Sequence, residues 1–227
     1  MTSPAAAPPT VVSVNVGTPR TVEWRGRPVT TAIWKSPVHG PVPLAGVNLA
    51  GDDQADRRVH GGPDKAVYAY ATEDYAWWAT AWPEGPGAGE PLAPGTFGEN
   101  LTTTGLDLTG ASIGDRWHVG DAVLEVAGPR QPCFKLGIRM GDDGFPDRFE
   151  EAGRPGAYLR IVRPGSVQAG DTVRVEPAAP PHITVGALVQ PEPPDELLEL
   201  AAADDRVPAN WRRHAARALR DRAGSRR

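Results

Sequence analysis

The sequence predicts an α+β protein: a β-barrel-like domain with a few short helices, followed by a small C-terminal helical appendage. Three observations carry this prediction. Short runs of β-branched and aromatic residues outnumber helical patterns over residues 10–176. Turns at Gly114-Asp115, Gly120-Asp121 and Gly170-Asp171 punctuate those runs, glycine supplying backbone freedom and aspartate a local acceptor. Six prolines over residues 177–194 then separate this region from one with helical apolar spacing. A chain of 227 residues can hold one domain of ordinary size plus a small addition, with a sizeable core.

The elements follow in order. Residues 1–9, rich in proline and alanine, are expected to be disordered. Strands are expected over 10–16, 29–34, 66–70, 116–119, 122–127, 157–162 and 172–175. Helices are expected over 73–82, 134–140 and 147–152, the last stopped by Gly153. Trp77, Trp78 and Trp82 fall largely along one side of the first helix and would pack it on the sheet. The main domain therefore spans 10–176. A proline-rich linker over 177–194 holds one short apolar element at 183–189, and a helical extension covers 195–227. In that extension Asp195 could cap a helix through Leu197, Leu198 and Ala201. Trp211, Ala215, Ala218 and Leu219 then mark an amphipathic helix whose polar positions hold Arg212, Arg213, Arg217 and Arg220.

Composition narrows the function. The formal charge of −4 argues against nucleic-acid binding over most of the surface. Residues 204–227 carry eight arginines against three aspartates, a pattern that most simply makes a solvated helix face. The N-terminus lacks a charged n-region and a long apolar h-region, and no segment is apolar enough to span a bilayer, so a soluble cytoplasmic protein is expected. One cysteine excludes an intramolecular disulfide framework and any multi-cysteine metal site. Five histidines are scattered singly, so no paired-histidine metal site forms in sequence.

Three segments could do chemistry. Cys133 lies in Gly128-Pro129-Arg130-Gln131-Pro132-Cys133-Phe134-Lys135-Leu136, where two prolines hold the chain extended up to the sulfur. Arg130 and Lys135 would favour its thiolate, the form that ligates soft metals or attacks electrophiles. A lone cysteine is otherwise most often a small buried hydrophobe, and the two readings weigh about equally on residue type and surroundings. The second segment runs from Gly51 to Tyr68. There Gly61 and Gly62 leave backbone amides accessible, Lys65 adds a cation for an anionic group, and His60 is the candidate general acid, since an unperturbed imidazole titrates near neutrality. Turn formation alone would also explain its Asp and Gly content. The third is Gly95-Thr96-Phe97-Gly98-Glu99-Asn100-Leu101, in which Glu99 and Asn100 could face a ligand or serve a capped turn equally well.

In this order, Gly51-Asp52 with Ala55-Asp56, His60-Gly61-Gly62 with Lys65-Ala66-Val67-Tyr68, Phe97-Gly98-Glu99-Asn100-Leu101, and Pro129-Arg130 with Pro132-Cys133 and Lys135-Leu136 resemble a MOSC domain of the stand-alone, YiiM-type branch. The resemblance covers about residues 10–176, and residues 184–219 resemble the small three-helix domain that often follows. It implies a barrel-like fold that binds the molybdenum–pterin cofactor, with Cys133 as the molybdenum ligand. It also implies reduction of N-hydroxylated compounds, such as N-hydroxylated purines, to amines or amides. His60, Gly61, Gly62, Lys65, Glu99, Asn100 and Arg130 match positions expected to line the cofactor and substrate pocket.

On that reading Cys133 supplies the protein's thiolate, His60 the proton, and Asp56 orients His60 or relays the proton. Arg130 and Lys65 would anchor the anionic cofactor. The chain has no flavin or nicotinamide fingerprint, so a separate electron-donating reductase is expected as partner beside the small N-hydroxylated substrate. The oligomeric state is left open, a homodimer included. Two other readings stand beside this one: a carrier of molybdenum cofactor or sulfur on Cys133, and a metal hydrolase built on Asp52, Asp53, Asp56, His60 and Asp64.

Overall fold

The computed structural model describes residues 7–55, 61–85 and 91–225. Strand β1 (Thr10–Val16) buries Val11 and Val14. Strands β2 (Arg20–Trp24) and β3 (Arg27–Thr31) form a hairpin that turns on Arg25-Gly26, both with φ positive. Positive φ at both central residues is what a two-residue hairpin of the right twist requires. Three short strands follow: β4 (Ser36–Val38), β5 (Val42–Ala45) and β6 (Asn48–Leu49). Strand β7 (Val67–Ala71) then leads directly into α1 (Thr72–Ala81). The middle of the chain supplies β8 (Leu101–Thr104), β9 (Arg116–Val119), β10 (Ala122–Pro129), α2 (Phe134–Met140) and α3 (Phe145–Glu151). Strands β11 (Ala157–Arg163), β12 (Gly165–Val167) and β13 (Val173–Glu176) precede the terminal helices α4 (Asp195–Ala203) and α5 (Ala209–Ser225).

Eight strands join one sheet in the order β13-β9-β10-β11-β7-β8-β1-β4. Every pairing is antiparallel except β7 with β8, whose connection contains α1. All five residues of β7 are buried, as a strand covered on both faces must be. The architecture is thus mixed α+β, built on a large sheet with five helices among the described residues. Closure of the sheet into the expected barrel is not established: the outer strands β13 and β4 do not pair among the described residues. Pro37 in β4 removes a ladder donor, which suits an edge strand. The sheet nevertheless bends back far enough for Val11 N–H to donate to Asp171 C=O at 2.9 Å and Gly170 N–H to Val11 C=O at 2.8 Å.

Most expected elements lie within a residue or two of the observed ones, and 10–16, 116–119 and 134–140 coincide. The strand expected over 29–34 is displaced to Arg27–Thr31, because the Arg25-Gly26 turn sets a register that ends with Thr31 opposite Arg20. Ala32 and Ile33 leave the sheet and become cavity wall. The third helix begins two residues earlier than expected, at Phe145, and buries both Phe145 and Phe149.

Two apolar clusters form the interior. One lies along the sheet around Val67, Leu101, Trp117 and Leu124. The other is aromatic, joining Tyr68, Tyr70, Tyr75, Trp78, Phe97 and Phe149 beneath α1 and α3. Trp78 donates its indole N–H to the Tyr70 hydroxyl at 2.7 Å, meeting the need of a buried indole for an acceptor.

The proline-rich segment and the extension share the first of these clusters. Ile183 and Val185 are buried in it, and their backbone exchanges hydrogen bonds with Ile113 and Ala111 at 2.8 and 2.9 Å. Within the segment, Gly186–Leu188 forms a 3-10 turn. Leu198 and Ala201 of α4, with Trp211 and Ala215 of α5, are buried in the same cluster. Asp195 opens α4 as its first residue, where an acidic side chain complements the helix N-terminus, while Pro194 takes the cap position.

Trp211→Ala should therefore destabilise the whole protein by about 3–5 kcal/mol in a urea titration, the usual cost of removing a buried tryptophan. A loss below about 1 kcal/mol, the size expected of a surface position, would show that the extension packs independently.

Candidate functional site

Strand β10 ends at Pro129, and Arg130, Gln131 and Pro132, in no regular element, lead to Cys133, which is itself extended (φ −142°, ψ 168°) and is the residue before α2. Cys133 has the extended backbone expected at the end of the proline run. Leu136 N–H donates to the Cys133 carbonyl at 2.8 Å and starts the helix, which leaves the thiol half-buried at the boundary. A cavity opens there, with Lys35, Lys65, Arg130 and Lys135 in its wall beside the sulfur. Four cations against the carboxylates of Asp52 and Asp53 make it an electropositive pocket.

Arg130 is only 7 % exposed. Its Nη1 donates to the Phe97 carbonyl, and its guanidinium lies 4.9 Å from the Tyr68 ring centre and 5.9 Å from that of Phe149. Burial works against its charge, but Tyr68, Tyr158 and Cys133 around it outweigh burial and hold its pKa above the ordinary guanidinium value. Burial draws the Lys65 ammonium below its ordinary value, with Asp64 and Cys133 pulling the other way. Burial likewise raises the Tyr158 hydroxyl, which stays a neutral donor at the cavity wall.

The loop from Gly95 to Asn100 is held from inside. Glu99 is fully buried behind the cavity and accepts hydrogen bonds from Gly95 N–H at 2.7 Å, Phe97 N–H at 3.1 Å, the Thr102 hydroxyl at 2.7 Å and the Tyr75 hydroxyl. Burial pushes its carboxyl above the usual range, and these donors offset part of that rise. Asn100 lines the cavity and works as a staple. Its Nδ2 donates to Asp52 Oδ2 at 2.9 Å, its Oδ1 accepts Tyr68 N–H at 3.1 Å, and its backbone bonds Asn15 and Tyr68. Asp52 also accepts Gly17 N–H at 2.8 Å and pairs with Lys35, joining four segments at one carboxylate.

The sequence-predicted residues therefore separate into groups. Cys133, Lys65, Asn100 and Arg130 meet at the cavity wall, while Glu99 stands one layer behind. Gly62, with φ +96°, forms the entry to the 3-10 turn Pro63–Lys65 that carries Lys65, and Gly61 precedes it. Neither glycine appears in the wall among the described residues. Asp56 and His60 lie outside the described residues. Lys35 and Tyr158 are wall residues that the sequence reading did not single out, since each is one polar residue at the edge of a strand with no motif around it.

The donor set suits an anionic group that takes a sulfur ligand: one thiol, flanked by cations, with no competing carboxylate cluster among the described residues. No group of three histidine, cysteine or acidic residues could hold a metal among the described residues. Asp52 is committed to Lys35 and Asn100, and Asp64 to Arg160 at 2.6 Å, which weakens the carboxylate-hydrolase reading.

Comparison with known proteins agrees with this geometry. The MOSC domain family model matches residues 56–174. The uncharacterized protein YflK of Bacillus subtilis (strain 168) is 39% identical over 160 residues, 70% of each chain. A reductase of Gibberella moniliformis is 34% identical over 173 residues, 76% of this chain but 30% of that protein's length. Among solved structures, YiiM from Geobacillus stearothermophilus superposes with a TM-score of 0.74 at 27% identity, covering 93% of this chain and 100% of that one. No described helix is long and apolar enough to cross a membrane. This chain belongs to the MOSC domain family.

Proposed function

We propose that the protein is a molybdenum-cofactor-dependent reductase that converts N-hydroxylated compounds, N-hydroxylated purines among them, to the corresponding amines or amides. The observation that carries this reading is the half-buried Cys133 thiol, set on an extended residue just before α2 and opening on a cavity lined by Lys65 and Arg130. Membership of the MOSC family and the likeness to a protein named as a reductase support it.

Reduction of R–NHOH takes two electrons and two protons, breaks the N–O bond, and gives R–NH₂ and water. A bound molybdenum centre supplies the electron pair. The chain's own residues do the rest. Cys133 would hold the metal as its thiolate, and Lys65, Lys135 and Arg130 would hold the anionic remainder of the cofactor. Arg130 can do so because its charge is already fixed in place before any ligand arrives, so no reorganisation is needed on binding. The departing hydroxyl takes its proton from His60, with Asp56 orienting the ring or relaying the proton. Electrons reach the site from a separate reductase, and a cytoplasmic setting suits the reduced thiol that the scheme needs.

Anaerobically purified wild type and Cys133→Ser, each incubated with free molybdenum cofactor, should differ in metal content: near-stoichiometric in the first and lost in the second. Equal or absent molybdenum in both would contradict the reading. Wild type that loads cofactor yet leaves N-hydroxylated substrates untouched, with a chemical electron donor present, would instead be a carrier.

Lys65→Met should weaken cofactor retention about tenfold or more in a dilution assay, since one hydrogen bond to a charged group is worth roughly 1.5–3 kcal/mol. Unchanged retention would remove Lys65 from the anchor. His60→Gln should lower turnover by about 10²–10⁴-fold, the usual contribution of a positioned proton donor, with molybdenum content unchanged. Undiminished turnover would move the proton to another group.

A further inference from the structure

Cys133 borders a second cavity. Lys65, Cys133 and Tyr158 line both cavities and form the partition between them. The far wall of the second cavity is supplied by the extension, through Pro208, Asn210 and Trp211, and the near wall by Pro129, Gln131 and Pro132. Its chemistry differs from the first. Lys65 is accompanied by Asp64, so the charges roughly cancel, and the remaining wall is proline, aromatic ring and two carboxamides. Asn210 and Gln131 are both exposed, so their amides can donate to and accept from the edge of a ligand. At about 220 Å³ the cavity is smaller than the roughly 300–1,000 Å³ typical of sites for drug-sized ligands. It has room for one small ligand.

The extension's wall is fixed in place. Arg160 donates from Nε to Asp64 at 2.6 Å and from Nη2 to the Arg206 carbonyl at 2.8 Å, so one guanidinium ties the Lys65 turn to the start of the far wall. Arg206 in turn donates to the Pro181 carbonyl at 2.8 Å. Pro208 C=O accepts Trp211 N–H at 2.9 Å and Arg212 N–H at 3.0 Å, which sets the first turn of α5. Against it lies Gly128 of β10, where a Cβ would come within 3.6 Å of the Trp211 indole.

We propose that this second cavity is the substrate subsite, in which Asn210 and Gln131 grip the edge of a small, uncharged, planar N-hydroxylated heterocycle with its N–O bond toward Cys133. The cationic first cavity is left to the anionic cofactor. The proposal rests on the reductase reading above and adds to it that the C-terminal extension determines substrate specificity.

Asn210→Trp and Gln131→Trp fill the cavity from opposite walls at exposed positions, leaving the core intact. The test compares both variants with wild type, each loaded with molybdenum cofactor. Molybdenum content, thermal unfolding and equilibrium binding of 6-N-hydroxylaminopurine without an electron donor are measured. The expected result is binding at least tenfold weaker in both variants, with metal content and unfolding temperature unchanged. Binding equal to wild type in both would overturn the subsite and leave the reductase reading standing. Loss of molybdenum from both would assign the cavity to the cofactor and overturn the subsite as well. A loaded wild type that neither binds nor reduces the purine would overturn both proposals.

Discussion

A guanidinium buried three residues before the cysteine is the constraint on which the site depends. Taking an unpaired cation out of water costs several kcal/mol, so Arg130 can be buried only where acceptors and ring faces wait for it. The Phe97 carbonyl and the faces of Tyr68 and Phe149 meet that need. The carbonyl is aimed by its own loop: Glu99 gathers the amides of Gly95 and Phe97 from below. Gly98 follows with φ +75°, where a Cβ would come within 2.9 Å of Ile33. A fully buried carboxyl thus acts on the site without lining it.

The same logic extends outward. The aromatic cluster under α1 and α3 is the wall that carries the ring faces, so the tryptophan and phenylalanine residues far from Cys133 still set its electrostatic surroundings. On the other side, Asp52 gathers Gly17, Lys35 and Asn100 and fixes the opposite wall of the cavity. The extension is joined through shared core and through Arg160. Cys133 therefore faces two different environments, cationic on one side and neutral, partly aromatic on the other. On the proposed reading the anionic cofactor takes the first side and the uncharged substrate the second.

Much of this was legible in the sequence because it depends on local pattern. The two prolines before Cys133 restrict the backbone through their own ring geometry, and the alternation in 116–119 and the apolar run 122–127 are visible without knowing the partner strands. What could not be read depends on distant pairing. The β2–β3 hairpin is mostly exposed, and although part of β3 falls in an expected strand, its partner β2 is fixed only by pairing across the Arg25-Gly26 turn. Glu99 reads equally as a ligand-facing acceptor or a loop anchor until its donors are located. Lys35 becomes a cavity residue only through its pairing with Asp52, seventeen positions on. The prolines of 177–194 suggested a linker with one short apolar element, but that Ile183 and Val185 of this element reach the core depends on backbone pairing with a loop some seventy residues earlier.

The central claim is that the Cys133 sulfur binds the metal at the junction of the two cavities. X-ray absorption at the molybdenum edge, on loaded wild type against free cofactor under the same conditions, tests it most directly. The account predicts one more sulfur neighbour at molybdenum in the protein than in the free cofactor. An unchanged sulfur count in fully loaded protein would contradict it, and would place the cofactor in this fold without the bond on which the chemistry was built.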